Sequence, residues 1–175
     1  QNDLSGMFTS RTLYLDGEVP FKECYTLRFD YTKDWQFKGL TDGTTAFEFY
    51  LTPGTHTLRL EVSLGDFADI IRQVEASLSN INDCYMNIMK LTGASPDEYR
   101  DYGFSRLMPN TIKTMLIESK NLYAVSDLIT ELCGEKGSQT ATLDKVAFLL
   151  KRMGGDEDEI APNLKNLKTY IGTLG

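Results

Sequence analysis

The stretch Leu58-Arg59-Leu60-Glu61-Val62-Ser63-Leu64-Gly65-Asp66-Phe67-Ala68-Asp69-Ile70 decides the fold. Up to Leu64, apolar residues fall on every second position and polar ones between them, the pattern of a strand with one covered face. After Gly65-Asp66 the period changes. Phe67, Ile70, Val74, Leu78, Ile81, Tyr85 and Ile88 recur at gaps of three and four, which places them on one stripe of a helix. One residue pair thus divides the chain into an antiparallel β-unit over residues 1–64 and a helical part over residues 65–175. The expected fold class is α+β, a small partial sandwich of jelly-roll type followed by an antiparallel bundle of three or four helices.

Upstream of the switch, the strand pattern repeats. Thr12-Leu13-Tyr14-Leu15 runs into the turn pair Asp16-Gly17. Tyr25, Leu27, Phe29 and Tyr31 alternate with polar residues and are expected on a core face. Trp35-Gln36-Phe37 alternates again. Phe47, Phe49 and Leu51 share a side, and Pro53-Gly54 leads into Leu58, Leu60, Val62 and Leu64. The last two runs are expected to pair as a hairpin, giving five or six strands in all.

Downstream, each helix carries its own punctuation. Gly93 is a favourable terminator for the first. Ser95-Pro96-Asp97-Glu98 has a capping residue, a proline and two acids, and predicts a short helix. Pro109 opens the next, with Ile112, Met115, Leu122, Val125 and Ile129 on its stripe and Gly134 at its close. A further helix is expected from Thr140 to Gly154-Gly155, and a last one carries Leu164, Leu167, Ile171 and Leu174. The acidic run Asp156–Glu159 reads as a solvated first turn beside the helix dipole, because a calcium loop needs alternating oxygen ligands and a turn glycine.

The bulk numbers exclude several functions. A net charge of -7 and no basic stripe argue against nucleic acid. At 41% hydrophobic, the 175 residues can build a real core. Cys24, Cys84 and Cys133 are too few and too scattered for a disulfide framework or a zinc pattern, though one disulfide with one thiol left over stays open. His56 is the only histidine, and no nucleophile elbow, phosphate loop or dinucleotide fingerprint occurs. No catalytic residue, metal ligand or cofactor site is therefore assigned. The carboxylates Asp30, Asp34, Glu48 and Glu61 are expected to be dispersed. No run reaches the roughly 18 apolar residues of a membrane span. The chain starts at Gln1 rather than Met, and reads as a piece of a longer protein.

Aromatic residues crowd the β-unit. Tyr25, Phe29 and Tyr31 are assigned to the core. Trp35 and Tyr50 are freer than these and are the candidate ligand-binding residues, because exposed indole and phenol rings offer flat amphipathic surfaces to sugars or proteins.

The segments Leu13-Tyr14-Leu15-Asp16-Gly17-Glu18-Val19-Pro20-Phe21 and Phe47-Glu48-Phe49-Tyr50-Leu51-Thr52-Pro53-Gly54-Thr55-His56-Thr57-Leu58-Arg59-Leu60 carry a resemblance. They resemble the non-catalytic N-terminal part of very large extracellular solute-binding proteins of ABC transporters from Gram-positive bacteria. The β part is similar to galactose-binding-like carbohydrate modules, and the stretch from Leu64 through Tyr99-Arg100-Asp101-Tyr102 onward resembles their helical insert. The resemblance implies a secreted parent lipoprotein anchored at the cell surface, carbohydrate as the cargo class, and no enzymatic activity. Its implied partners are the other domains of the parent chain, carbohydrate, and the transporter permease reached through the parent. It implies no functional residues. The pattern departs from a complete sandwich, which has about eight strands. Three other roles fit the residues: a stand-alone carbohydrate-binding module, an oligomerisation scaffold built on the helices, and a hydrolase with converging acids.

Overall fold

The computed structural model describes residues 7–174. The chain forms two compact units, residues 1–68 and 69–175.

The first unit is built on β1 (Phe8–Leu15), which pairs antiparallel on both edges. One neighbour is β2 (Leu27–Asp30) and the other is β3 (Leu58–Ser63), giving the order β2-β1-β3. The register sets Thr9 opposite Phe29, Arg11 opposite Leu27 and Val62, Leu13 opposite Leu60, and Leu15 opposite Leu58. Side chains alternate between faces, so these residues form one largely apolar face. The other face carries Phe8, Ser10, Thr12 and Tyr14 with Arg28, Asp30, Arg59 and Glu61. There the Arg28 guanidinium lies 3.9 Å from the Phe8 ring centre and that of Arg59 lies 4.2 Å from Tyr14.

The core of this unit sits over the β1–β2 half of the apolar face. Leu13, Cys24 and Leu27 are buried, and Val19, Phe21, Leu40, Phe47 and Phe49 pack against them from the connecting segments. Phe21 holds these segments together: its ring meets Phe47 edge-on at 5.1 Å and stacks on Phe49 at 5.5 Å. At the far end of the polar face, Gly65 adopts φ +50°, and a Cβ there would lie 2.7 Å from Ser10 Oγ and 2.8 Å from Thr26 Cγ2. Glycine is required by both the backbone conformation and the contact. Phe67, just beyond, meets Phe8 with ring centres 4.6 Å apart.

Several expectations are corrected here. The hairpin between 47–51 and 58–64 does not form: β3 pairs with β1, and residues 47–51 are an irregular segment laid over the core. Trp35-Gln36-Phe37 is likewise outside any strand, and three strands exist among the described residues. Tyr25 ends a short 3-10 turn and is exposed, as is Tyr31, so of the four residues assigned to that core face Leu27 is buried and Phe29 half-buried. The Leu58, Leu60 and Val62 row of β3 remains 60%, 48% and 72% exposed.

The second unit is helical. α1 (Phe67–Thr92) carries the chain into it and buries Ile81, Cys84, Tyr85 and Ile88 there. The helix predicted at Ser95 is absent. Asp97 instead caps a turn by accepting from the Tyr99 amide, and a short α2 (Phe104–Leu107) follows at Gly103. α3 (Pro109–Cys133) begins on its proline and ends at Gly134, whose φ of 79° lets its amide reach Thr130 O. α4 (Ser138–Gly155) and α5 (Ile160–Leu174) complete the bundle.

α3 and α4 run antiparallel through matched small residues. The Ser119 hydroxyl donates to Ala147 O at 2.7 Å, and Ser126 to Thr140 O at 3.5 Å. A Cβ on Gly154 would lie 2.8 Å from Leu116 Cγ. α1 is tied to α3 by Asn80, which donates to the buried Glu118 carboxylate at 2.8 Å, and by the Cys84 thiol near Thr111 O. Met115, Leu122, Val146, Leu150, Met153, Ile160, Leu164 and Leu167 fill the interior. The architecture is α+β, a small antiparallel sheet and a helical bundle.

This burial pattern separates two leucines that face each other. Leu13→Ala should cost about 2–5 kcal/mol of stability, the usual range for emptying a filled core site, and Leu60→Ala less than about 1 kcal/mol. Hydrogen exchange of the β1 amides measures both. Equal losses would mean that β3's apolar row is covered.

Candidate functional site

A cleft of about 530 Å³ opens on the apolar face of the sheet, between the strands and the loop that follows β2. Its floor is Thr9, Arg11, Phe29 and Leu60. Its wall is the segment from Asp30 to Lys38, including Trp35 and Phe37. β1 and β2 place the floor residues by alternation. The wall is held differently. Asp30 accepts from Arg28 Nε at 2.5 Å and from Lys38 Nζ at 3.3 Å, which ties the end of the loop back to the strand. Thr32 donates to Asp34 O at 2.9 Å and sets the turn that precedes Trp35. The Arg28 hydrogen bond, helped by Lys38, holds the Asp30 carboxyl below its ordinary pKa.

Trp35 is 85% exposed and Phe37 fully so. A loop that displays an indole and a phenyl ring to water beside a half-polar cleft has the makings of a stacking platform. Tyr50 is 94% exposed but does not line the cleft. The two candidates, Trp35 and Tyr50, are thus not brought together there. Phe37 and Arg11, which do line it, were not singled out from the sequence. Phe37 read as one more alternating residue, and Arg11 had no local signal.

The acids are partly gathered. Asp30 and Asp34 both border this cleft, Glu48 is exposed away from it, and Glu61 lies on the opposite face, 3.7 Å from Arg59. A glycosidase needs a carboxyl held protonated beside its partner. Asp30 is in the reverse situation, kept ionised by two cations.

His56 has a structural task. Its Nδ1 lies 2.6 Å from Asp16 Oδ2 and its Nε2 2.7 Å from Thr52 O, while Asp16 Oδ1 accepts from the Thr57 amide at 2.7 Å. Both ring nitrogens face acceptors, the arrangement of an imidazolium. This clasp joins the Asp16-Gly17 turn to the chain entering β3. The bond to Asp16, then that to Thr52, raises the His56 pKa, and the bond from His56 lowers that of Asp16.

The three cysteines are thiols, not joined in a disulfide. Cys84 is pushed up to about 11, first by burial and then by Glu118, and burial also raises Cys24. Among the described residues, no group of His, Cys, Asp and Glu is arranged to hold a metal ion. A second, smaller hollow of about 270 Å³ in the helical unit is lined by Glu98, Asp101, Glu157 and Asp158 with Tyr99 and Tyr102. Two of its carboxylates act on the backbone: Glu157 accepts from the Ser105 amide and Asp101 from that of Gly103.

Four long helices, α1, α3, α4 and α5, define a helical-bundle module. Residues 69–171 match the model of the bacterial solute-binding protein, 4-helix bundle domain. The chain belongs to that family. No curated protein and no solved structure matches it. No helix among the described residues is long and apolar enough to cross a membrane.

The clasp gives a pH signature. Its stabilisation is present between the ordinary Asp and His values, 3.8 and 6.5. It fades as pH rises through the elevated pKa of His56, and as pH falls through the depressed pKa of Asp16. An NMR titration should place His56 above 6.5, and Asp16→Asn should bring it down. An unchanged value in Asp16→Asn would show that the carboxylate does not hold the ring.

Proposed function

We propose that this chain is a non-catalytic extracellular module of a solute-binding lipoprotein serving an ABC uptake system of a Gram-positive bacterium, and that its solute class is carbohydrate. The family match over residues 69–171 carries the placement within solute-binding proteins. The cleft beneath Trp35 and Phe37 supports the carbohydrate reading. An exposed indole can stack on the apolar face of a pyranose ring, and Arg11, Asp30 and Lys38 offer charged donors and acceptors to its hydroxyls.

In this reading residues 1–64 form the sugar-contacting β-unit, with a galactose-binding-like ancestry. Residues 65–175 are a spacer that positions other domains of the parent. Its partners are those domains and, through the parent, the membrane permease. Anchoring at the cell surface is a property of the parent chain. Trp35 and Phe37 supply the stacking surface, and Tyr50, outside the cleft, adds at most an edge contact.

Affinity-gel and glycan-array measurements test the carbohydrate reading. The chain should be retained by at least one neutral glycan at millimolar levels. Trp35→Ala should weaken that retention about tenfold or more, the equivalent of one lost stacking contact, and Tyr50→Ala should leave it nearly unchanged. The absence of retention on every glycan would contradict the reading.

A further inference from the structure

The geometry points to β3 as a self-complementary edge at which two copies of this chain join their sheets, strand to strand and antiparallel about Leu60. This goes beyond the reading of the cleft and does not depend on it.

The first observation is an open edge. β3 is one of the two outer strands of the β2-β1-β3 sheet. Asp16 N donates to Thr57 O at 2.8 Å, so Thr57, and by alternation Arg59, Glu61 and Ser63, direct their backbone groups toward β1. Leu58, Leu60 and Val62 direct theirs outward. No described residue meets those outward groups. β3 has no proline, glycine or lysine to guard its edge, and its two charged residues, Arg59 and Glu61, are of opposite sign. The side chains of its outward-bonding residues are the half-exposed apolar row already noted.

The second observation is the order of charges. Pairing antiparallel about Leu60 sets Leu60 against Leu60 of the other copy, Leu58 against Val62 and Arg59 against Glu61. Leu58, Leu60 and Val62 are the outward-bonding residues, so each of these pairs can exchange two backbone hydrogen bonds. Arg59 and Glu61 then fall at the non-bonded positions, where opposed Cα atoms approach to about 4.5 Å and side chains interact most closely. Within one copy these two residues already lie 3.7 Å apart. Pairing makes a ring of four alternating charges on the polar face, and an unbroken apolar band on the other. A slip by one residue would set one copy's outward amides opposite residues whose own backbone groups point back to β1, and would mix the two faces. Leu60 also floors the cleft, so the added strand lengthens that floor.

The test reads association and register together. Analytical ultracentrifugation of the intact chain should show a reversible monomer–dimer equilibrium. In a homodimer, Arg59→Glu sets two carboxylates against each other at both charged pairs, and Glu61→Arg sets two guanidinium groups against each other there. Each variant alone should dissociate about tenfold more readily. In an equimolar mixture the heterodimer sets the two carboxylates of one copy against the two guanidinium groups of the other, so opposite charges meet at both pairs. The mixture should therefore recover association, and so should the double variant R59E/E61R, which swaps the two charges within one chain and restores opposite charges at both pairs. Arg59→Glu also removes the stack on Tyr14, so circular dichroism of each variant checks that the sheet is intact, and Glu61→Arg keeps that stack. A wild-type chain that stays monomeric at high concentration would overturn the proposal. So would a dimer indifferent to both charge reversals, or a double variant that associates no better than either single one.

Discussion

Everything in the first unit follows from β1 having partners on both of its edges. A strand flanked on each side has its backbone groups satisfied, so its side chains can be buried without an orphaned amide. Leu13 occupies the centre of that strand and is fully buried. The chain between β1 and β3 is left to cover one face. Part of it does so through Phe21, Phe47 and Phe49. The rest, from Asp30 to Lys38, stands as a wall over the apolar face and creates the cleft. The cover reaches over β1 and β2 and stops short of β3. Leu58, Leu60 and Val62 therefore stay exposed, with no described residue bonded to their outward backbone groups.

The helical unit is organised by a different constraint, the distance at which α3 and α4 approach. Ser119, Ser126 and Gly154 are small enough to let backbone and side chain meet, and the two serines bond across to the facing carbonyls. Larger residues would force the helices apart and open the space now filled by Leu122, Val146 and Leu150. Nothing in this arrangement collects reactive groups. Its buried carboxylate, Glu118, accepts from Asn80 and Asn121 and serves to tie helices together.

The helices were legible in the sequence because their signals are local. Gly93, Pro109 and Gly134 mark real ends, and Ile70, Ile81, Tyr85 and Ile88 of the α1 stripe and Met115, Leu122, Val125 and Ile129 of the α3 stripe are buried. The change of period at Gly65 also marks a real change of structure. Strand partners were less legible, because alternation assigns faces and says nothing of neighbours. Phe47-Glu48-Phe49 and Leu58–Leu64 look like the two arms of a hairpin. Asp16 decides otherwise: by holding His56 and the Thr57 amide it feeds residues 57 onward along β1. That contact spans about forty residues and leaves no local trace. Tyr25 was misplaced for a similar reason, since its neighbour Cys24 turns inward through a 3-10 turn that alternation does not show. Of the candidate site, Trp35 was visible as an aromatic outside the core pattern. Arg11 joins the same cleft through the sheet register, and Phe37 through the irregular loop it shares with Trp35.

A sheet with one covered half and an exposed apolar row on β3 offers a surface for contact. The strand order carries this account. In the β2-β1-β3 sheet, Leu13 and Leu60 face each other at a non-hydrogen-bonded position, where their α-protons lie close together. A nuclear Overhauser spectrum of the labelled chain should show a strong Leu13–Leu60 α-proton cross-peak and none linking Phe47–Leu51 to Leu58–Val62. Strong cross-peaks between those two segments, with the Leu13–Leu60 peak missing, would contradict it.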